Sequence, residues 1–488
     1  MTRLLRITVL VALVLVAAGC GAKDQGSGAA GAEIVPASVP VFVSIDSDLS
    51  SDQWSQVDEL LSKFPARDDL LDELHSSLKE DPGLDYEDDV KPALGDEVDL
   101  VWLDFENEGS NVVFMTKPKD EDAFQRLIEK GNSSGGDQVV CEETDGWQVC
   151  ADNRAMIGRF TALPGDEKLA DDELYNDALA DLPDESLAHV YVRGESVVEA
   201  LRELDVPGSP LPLSADQRPE YISAALAAEG DGFRLVGTGR AAQEPEGQTE
   251  PFESTLLEDV PADAVAFLTF KGGDEYEAQL EELRKNDAYR MGVRELERML
   301  GLRLESLATL FENEVALYVR PGSPLPEFTL LLEAPNEKAT LDKVRKAISA
   351  LTHTLTAQPC HASFLEAGVT LECVDLEGIE VLSGSFDNKV VVTTGKGAVA
   401  KLRSDSPRLS EDEGFKSARD AAGLPDESTG FLWLDLEDGI PMVLGLASAS
   451  GGSIPAEIRE NLEPLGSFLT WADSDGRSGS FTAFLQID

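Results

Sequence analysis

Apolar and polar positions along the chain follow two different periods. Residues 35–46, VPASVPVFVSID, alternate between apolar and polar side chains and predict a strand preceded by Pro36. Other apolar residues recur at helical spacing and predict the buried faces of two helices. These are Trp54, Val57, Leu61 and Phe64 in the first helix, and Phe124, Leu127 and Ile128 in the second.

Short acidic-glycine turns separate several of the predicted strands. They are Asp145-Gly146, Asp231-Gly232, Glu377-Gly378 and Asp475-Gly476. Turns of this kind join neighbouring strands as two-residue hairpins. Much of the sheet is therefore expected to be antiparallel, and the predicted fold class is α+β.

The chain contains a large internal repeat. Four pairs of segments match in the same order: 35–46 with 260–271, 95–103 with 312–320, 141–149 with 373–381, and 182–192 with 424–434. The offset between the partners changes along the chain, as loop insertions would produce. A repeat of this size predicts two tandem homologous copies, each with a largely antiparallel sheet packed with helices.

The repeat also sets the predicted domain boundaries. Copy one covers residues 34–240, and copy two covers residues 259–488. Residues 241–258, AAQEPEGQTEPFESTLLE, lack apolar periodicity and are predicted to link the copies. The length beyond the N-terminal segments, roughly 455 residues, suits two domains better than one core.

The N-terminus has the layout of a secretion signal. Arg3 and Arg6 precede an apolar stretch that stops at Ala18-Gly19-Cys20, and this stretch is shorter than the roughly twenty residues of a membrane-spanning helix. Small residues directly before a cysteine resemble a lipobox. The resemblance implies a signal peptide over residues 1–19 and a diacylated Cys20, which would be a stable membrane anchor. An ordinary secretory signal is the alternative interpretation.

A small, polar segment follows the predicted lipidation site. Residues 20–33 have no apolar face and are predicted to form a flexible, lipidated tether. Such a tether reaches about 20 Å on average, which would keep the folded part close to the membrane. Beyond the signal, no apolar segment approaches eighteen residues, so no later segment is expected to cross a membrane.

Acidic side chains outnumber basic ones more than twofold. The chain has 93 Asp and Glu against 40 Lys and Arg, a formal net charge of −53. Nucleic acid and anionic lipid headgroups should therefore be repelled. The acids are spread along the chain, as a solvated surface requires. Salt adaptation, a cation-attracting face and a basic partner are the other interpretations.

Hairpin geometry predicts the first of two disulfides. Four cysteines follow the lipobox, an even number in an exported chain. Around a two-residue turn at Asp145-Gly146, Cys141 faces Cys150 at a non-hydrogen-bonded position. Cα atoms at such a position lie about 4.5 Å apart, a separation that a disulfide tolerates.

The second predicted disulfide follows by elimination. The same count in copy two places Leu382 opposite Cys373, which leaves Cys360 as the partner of Cys373. A metal site is the alternative, with His353, Cys360, His361 and Cys373 as its ligands. Zinc sites usually contain a close Cys-x-x-Cys or His-x3-His pair, which this cluster lacks.

Matches to catalytic motifs occur in the wrong structural setting. Residues 131–135, GNSSG, match a nucleophile elbow, but a predicted helix precedes the serine where a strand is required. Ser76 and Lys79 have no companion motif. Residues 395–400, GKGAVA, follow a strand and open a helix, as in a dinucleotide site. Copy one lacks the glycine pair, which favours a tight turn, and no cofactor is predicted.

No acid–base constellation emerges from the remaining polar residues. The four histidines are scattered along the chain, at His75, His189, His353 and His361. Asp46, Asp48 and Asp52 are spaced like the first ligands of a calcium loop, but the required glycine and closing glutamate are missing. No catalytic or metal-binding residue is therefore predicted.

Several landmarks of copy one resemble an uncharacterised, mostly actinobacterial family of envelope lipoproteins, domain of unknown function 3352. They are Pro36-Ala37, Gln53-Trp54, Phe64-Pro65, Asp89-Val90-Lys91-Pro92 and Leu94-Gly95-Asp96-Glu97-Val98. The resemblance implies a surface-anchored α+β protein of unassigned function and supplies no catalytic residues. In copy two, Ala308-Thr309 and Glu312-Asn313 replace the Lys-Pro and Gly-Asp elements, so any function of those elements would reside in copy one.

These observations favour a non-enzymatic lipoprotein on the outer face of the cytoplasmic membrane. It is expected to bind a ligand or a protein partner, and its acidity favours a cationic one. The alternative is an envelope hydrolase whose site is assembled from residues distant in sequence. An enclosed apolar cavity would favour a hydrophobic ligand, whereas solid cores with an exposed apolar patch would favour a protein partner.

Overall fold

The computed structural model describes most of the chain beyond the predicted signal. The described residues are 29–80, 84–133, 138–163, 167–196, 218–244, 250–272, 287–300, 303–304, 308–354, 357–360, 363–449, 451–452 and 454–488. They form two units. Unit 1 runs to Gln243 and adds Ala456–Pro464 and Ile487–Asp488, whereas unit 2 comprises Glu244–Pro455 and Leu465–Gln486. Across the described ranges, no helix is long and apolar enough to span a membrane.

Unit 1 is built on an antiparallel sheet. Its described strands are β1 (Val41–Asp46), β2 (Glu97–Trp102), β3 (Val112–Thr116), β4 (Val140–Thr144), β5 (Trp147–Ala151), β6 (Ala188–Arg193), β7 (Pro219–Glu229) and β8 (Gly232–Ala241). They pair in the order β4–β5–β3–β2–β1–β6–β7–β8, and every pairing is antiparallel.

Helices and short turns connect the strands of unit 1. The helices are α1 (Asp52–Leu61), α2 (Arg67–Glu80), α3 (Glu106–Gly109), α4 (Glu121–Ser133), α5 (Arg154–Thr161) and α6 (Glu173–Leu179). The 3₁₀ turns are Ala30–Glu33, Lys91–Ala93 and Leu169–Asp171, and Tyr86–Val90 forms a π turn.

Helix α1 illustrates how local sequence and burial agree. The Ser51 hydroxyl accepts a hydrogen bond from the Trp54 backbone N–H at 3.3 Å and caps the helix. Trp54 and Val57 are buried as their spacing predicts. The third buried apolar residue is Leu60, and Leu61 is partly exposed. The apolar stripe therefore predicted the buried positions Trp54 and Val57, whereas Phe64 lies in the turn after the helix ends at Leu61.

Unit 2 contains an antiparallel sheet of the same design. Its strands are β9 (Ala266–Phe270), β10 (Val315–Arg320), β11 (Glu327–Glu333), β12 (Ala357–Pro359), β13 (Phe364–Glu366), β14 (Val369–Leu376), β15 (Ile379–Phe386), β16 (Lys389–Thr393), β17 (Gly430–Asp435), β18 (Leu465–Asp475) and β19 (Ser478–Ile487). The order β14–β15–β16–β11–β10–β9–β17–β18 follows from the pairings, and β12 and β13 both pair with β14.

The helices in the second half of the chain complete the description. They are α7 (Asp287–Leu300), α8 (Glu337–Thr354), α9 (Ala398–Leu402), α10 (Glu413–Ala422), α11 (Leu436–Ala449) and α12 (Ala456–Leu462). Leu256–Asp259 and Leu409–Glu411 form 3₁₀ turns. The described fold is α+β with two tandem copies, as the sequence predicts.

Each unit has its own apolar core on one face of its sheet. In unit 1, Phe42, Val101 and Tyr191 from the strands pack with Ile157 of α5 and Tyr175 of α6. In unit 2, the core contains Phe267, Tyr318, Phe415, Phe431 and Trp433. Helix α8 covers the other face of the unit 2 sheet with Leu341 and Val344.

Residues at the ends of the predicted tether and linker take part in the folded units. Residues 29–33 were assigned to the tether, but Ala30–Glu33 form a 3₁₀ turn in which Gly31 and Ala32 are buried. Within the predicted linker 241–258, Phe252 bridges to Ser428 and Leu256 is buried. These turns consist largely of small and polar residues, so the local sequence does not predict that they are buried. Their burial depends on contacts with distant strands.

The spatial units divide the C-terminal end of the chain differently from the sequence copies. Ala456–Pro464 and Ile487–Asp488 belong to unit 1 and not to unit 2. The backbone N–H of Ala66 donates to the Asn461 side chain at 2.8 Å, and the backbone N–H of Ile487 donates to the Asp231 carbonyl at 2.8 Å. A sequence repeat cannot indicate such an exchange, since it records common ancestry and not spatial neighbours.

The structure changes one part of the repeat alignment. The sequence matches the hairpin β4–β5 to β14–β15, but β5 pairs with β3, and the strand that pairs with β11 in unit 2 is β16. The counterpart of β4–β5 is therefore β15–β16, which turns at Asp387-Asn388. Both hairpins share the same alternating pattern, and only pairing with a third strand distinguishes them. Strands β12 to β14 are additional to copy two.

Both predicted disulfides are present. Cys141 faces Cys150 in the register counted from the turn, and their Cα atoms are 4.0 Å apart. Cys373 faces Leu382 and is bonded to Cys360, with Cα atoms 5.3 Å apart. Strand β12 pairs with β14 and so places Cys360 beside Cys373. Each bridge lies within its own unit.

We predict that loss of either disulfide is tolerated. The bridged cysteines are separated by 9 and 13 residues, and loops of this length limit the stabilisation to about 2–3 kcal/mol each. Cys141→Ser/Cys150→Ser and Cys360→Ser/Cys373→Ser should both fold, with the free energy of unfolding lowered by that amount in urea titrations. A variant that fails to fold would contradict this prediction.

Candidate functional site

Several residues of the sequence analysis cannot be placed. Cys20 lies in residues 1–28, outside the described part of the chain. His361 is also outside it, and the side chains of His75 and His353 are not described. His189 is therefore the histidine whose surroundings the structure defines.

The acidic segment after β1 binds groups of its own chain. Asp46 accepts hydrogen bonds from the Asp48 backbone N–H at 2.9 Å and from the Ser51 hydroxyl at 2.5 Å. Lys119 lies 3.0 Å from both Asp48 and Asp96. Burial raises the pKa of Asp46 to about 6. These carboxylates cap the loop before α1 and form ion pairs with a lysine, so the segment has a structural role.

The glycine-containing segment 395–400 forms a turn whose amides are already occupied. Gly397 has φ of 97°, a left-handed conformation that favours glycine, and it precedes α9. The backbone N–H groups of Gly397 and Ala400 donate to the Glu366 carboxylate at 3.0 and 2.8 Å. A carboxylate of the chain itself thus lies where a phosphate would bind.

The cysteines of copy two are closed to a metal ion. Potential ligand atoms of Cys360, Cys373 and Glu380 lie within 4.8 Å of one another. The two sulfur atoms are bonded to each other, however. A metal site needs thiolates, which this disulfide does not provide.

The candidate site that emerges is a polar row inside unit 1. Asp99 on β2, Ser44 on β1 and His189 on β6 face one another across the three central strands. The row continues into apolar residues on both sides, with Met115 on β3 and Ala225 on β7. Both flanking residues belong to the core of unit 1, so the row lies on the core face of the sheet.

Asp99 has the least favourable surroundings for a charge. It is fully buried, and neither of its carboxyl oxygens has a hydrogen-bond partner among the described residues. A Cβ atom at Gly31 would lie 1.7 Å from Asp99 Oδ2, so the carboxyl group sits directly against the 3₁₀ turn. Burial raises the pKa of Asp99 well above its ordinary value, and the nearby charge of Glu97 raises it further.

The aromatic side chains beside the row carry buried polar groups as well. The Tyr175 hydroxyl lies 3.3 Å from His189 Nε2, and the rings of Tyr175 and Tyr191 meet edge to face at 5.3 Å. Burial lowers the pKa of His189 to about 4, and burial raises the pKa of Tyr175. At neutral pH the imidazole is therefore uncharged.

Unit 2 replaces Asp99 and His189 by apolar residues and keeps a hydroxyl at the position of Ser44. The corresponding row across β10, β9 and β17 is Ala316, Thr269 and Phe431. Phe415 and Trp433 occupy the positions of Tyr175 and Tyr191, and their rings also meet edge to face, at 5.5 Å. The two copies thus share a fold, whereas the buried Asp99 and the half-buried His189 in this row belong to unit 1.

The arrangement can hold a proton inside the protein. A neutral carboxylic acid at Asp99 is compatible with its surroundings, whereas an ionised one is not. Asp99, Tyr175 and Tyr191 were not singled out from the sequence, and His189 was named only as one of four scattered histidines. Glu97, Asp99 and Val101 share one face of β2, and two acids at alternate positions of a strand are typical of a solvent-facing side, so their burial has no signal in the sequence.

Comparison with known proteins identifies a family without a known function. A family model described as "Protein of unknown function (DUF3352)" matches residues 3–160 and 160–487, in agreement with the resemblance noted in the sequence. No curated protein matches the chain.

Two solved structures resemble about half of the chain. Crystal form IV of TP0453 has 13% identity and a TM-score of 0.26, and the match covers 49% of this chain and 81% of that one. Crystal form I of TP0453 has 14% identity and a TM-score of 0.22, with 47% and 76% covered. A likeness at this level carries no argument about fold or function.

We predict that Asp99 destabilises the folded protein as pH rises. Because the pKa of Asp99 is raised in the folded state, its stabilisation is present below about pH 4 and is lost as pH rises through the folded pKa. Asp99→Asn should therefore gain stability over the wild type with increasing pH, by up to about 1.4 kcal/mol per pH unit. Urea unfolding at several pH values measures this.

The control for that experiment is Asp231→Asn, which removes an exposed carboxyl from the turn between β7 and β8. It should not reproduce the pH-dependent gain. Equal slopes for the wild type and Asp99→Asn would refute the assignment of a proton to Asp99.

We predict the opposite pH dependence for His189. Its folded pKa is lowered to about 4, so its contribution to stability is present above about pH 6.5 and is lost as pH falls towards 4. His189→Phe, which installs the residue of unit 2, should lose stability less steeply over this window in thermal unfolding. Loss of the Tyr175 contact lowers stability equally at every pH, so the quantity compared is the slope of stability against pH. An unchanged slope would contradict the prediction.

Proposed function

The chain belongs to the DUF3352 family, whose function is unknown, and from this premise we propose that it is a lipid-anchored extracytoplasmic binding protein. Cys20 carries the lipid and holds the protein on the outer face of the cytoplasmic membrane. The lipobox-like sequence before Cys20 supports this proposal. The two disulfides are compatible with an oxidising compartment outside the cytoplasm.

The proposed activity is binding without catalysis. His189 and Asp99 lie in the core of unit 1, away from any external substrate. Asp46, in the segment spaced like a calcium loop, accepts a hydrogen bond from its own chain. Glu366, beside the glycine-containing segment 395–400, does so as well. Nothing in the described residues favours the alternative, an envelope hydrolase.

The observation that carries the binding proposal is an exposed apolar face on the unit 2 sheet. Leu317 on β10 and Phe328 on β11 are 36% and 48% exposed. Strand pairing places Leu268 and Leu330 beside Leu317, and Val319 beside Phe328, on the same face. Of these five residues, which we call the apolar face, Leu317 and Phe328 are exposed, Leu268 and Val319 are half-buried, and Leu330 packs at the edge of the cluster under helix α8.

Comparison with unit 1 supports a specific role for the apolar face. Leu100 occupies the position of Leu317 in unit 1, where it is only 7% exposed. An exposed apolar patch favours a protein partner over a small ligand. The net charge of −53 favours a partner with a basic surface, because complementary charges speed association.

A photo-crosslinking experiment tests the proposed binding surface. A photoreactive amino acid at Phe328, introduced into the full chain in cells, should form an adduct with one discrete protein. The same group at Thr370, an exposed position on β14, is the matched control and should not. Leu317→Asp should abolish the adduct. Equal labelling at both positions, or labelling of lipid alone, would refute the apolar face as a docking surface.

We predict that Cys20→Ala releases the protein from the membrane. No described helix is long and apolar enough to span a membrane, and the acidic body is repelled by anionic headgroups. The variant should therefore appear in the soluble or secreted fraction, detected by immunoblotting after fractionation. The wild type should stay with the membrane and release only on detergent treatment. Persistent membrane association of the Cys20→Ala variant would contradict the proposed anchor.

A further inference from the structure

A glutamate, half-buried at Glu97 and buried at Glu314, holds the 3₁₀ turn that precedes the first strand of each copy. In unit 2, Glu314 accepts hydrogen bonds from the backbone N–H groups of Thr255 and Leu256 at 2.8 and 3.1 Å. In unit 1, Glu97 accepts them from Ala30 and Gly31 at 3.1 and 2.6 Å. The donors and the acceptor occupy equivalent positions in the two copies, so this contact belongs to the shared fold.

The contact in unit 2 is reinforced by hydroxyl groups. Glu314 also accepts hydrogen bonds from the hydroxyls of Ser254, Thr255 and Thr269 at 2.5, 2.8 and 2.9 Å. In unit 1, Ala29 and Ala30 replace Ser254 and Thr255 and provide no hydroxyl. Glu97 therefore holds its turn with fewer donors than Glu314 does.

A second carboxyl group lies beside the contact in unit 1. Asp99 follows Glu97 by two positions on β2, on the same face of the strand, and its carboxyl lies against Gly31 of the turn. The corresponding residue of unit 2 is Ala316. Copy one thus combines a weaker contact with a potential competing charge, and copy two has neither feature.

We propose that Glu97 and Asp99 form a proton-operated latch on the Ala30–Glu33 turn. While Asp99 is protonated, Glu97 binds the backbone amides and the turn stays docked. When both carboxyls ionise, they repel each other beneath the turn, and residues 29–33 detach from the sheet.

The surroundings of the pair leave a second negative charge uncompensated. The titratable groups on the strands and helices beside the pair are Asp46, Asp96, Tyr175, His189 and Tyr191. On the turn itself lies Glu33, and Lys168 beside the turn donates to the Ile34 carbonyl at 3.1 Å. Burial keeps His189 neutral, and Lys119 is paired with Asp48 and Asp96. Burial and the charge of Glu97 raise the pKa of Asp99, which agrees with a single shared negative charge. Two charges at this depth would cost more than the two amide hydrogen bonds supply.

The consequence of the latch rests on the proposed lipid anchor. Residues 20–28 connect Cys20 to the docked turn and span at most about 30 Å. Release of residues 29–33 would extend this limit to about 45 Å. The latch would thus set how far the folded units can move from the membrane.

Hydrogen exchange with mass spectrometry tests the latch on the full chain in detergent. Peptides that cover residues 29–33 and 254–259 are compared at about pH 6 and about pH 9, after correction for intrinsic exchange rates. Protection of residues 29–33 should fall at the higher pH by at least about tenfold more than protection of residues 254–259. The second segment, held by Glu314, is the internal control.

Three variants separate the latch from general destabilisation. Asp99→Asn should retain protection of residues 29–33 at both pH values, and so should Asp99→Ala, which installs the residue of unit 2. Glu97→Gln should lower protection at both. Parallel changes in the two segments of the wild type, or a persistent pH effect in both Asp99 variants, would overturn the proposal. Because the measurement does not depend on the lipid, failure of the latch and failure of the anchor give different results.

Discussion

A carboxylate buried under a sheet must find hydrogen-bond donors, and this requirement shapes the start of both copies. Glu97 and Glu314 obtain theirs from the free N–H groups of a 3₁₀ turn. The turn is thereby tied to the sheet, and the chain enters the first strand of each copy from a defined position. Residues that look like a tether or a linker in the sequence consequently become part of the core.

Both copies contain this contact between a glutamate and a 3₁₀ turn, but the residues around the contact differ between them. In unit 2 the core row contains Ala316, Thr269 and Phe431, and Glu314 has additional hydroxyl donors. Unit 1 kept Asp99 and His189, whose charged forms burial disfavours. An apolar core contributes stability at every pH, whereas a buried titratable row makes stability depend on pH. The copies therefore divide into a reinforced unit and a proton-sensitive one.

The exposed surfaces of the two units differ as well. The apolar face of unit 2 contains Leu317, whose counterpart Leu100 is covered in unit 1. Copy two also carries the extra strands β12 to β14 and their disulfide. The proposed division of labour follows from these differences: unit 1 connects to the tether and responds to protons, and unit 2 presents the binding surface.

Local sequence determined the features that depend on near neighbours. The register around Asp145-Gly146 predicted the Cys141–Cys150 bridge, because a two-residue turn leaves one pairing of the strands that follow it. The repeat predicted two α+β copies. Tertiary structure alone decided which hairpin of copy two matches β4–β5, since that depends on pairing with β11. It also decided the role of Glu97, whose donors lie 66 and 67 positions away. In an alternating strand Glu97 and Asp99 resemble solvent-facing acids, and only the packing of distant segments over them makes their burial, and hence their chemistry, visible.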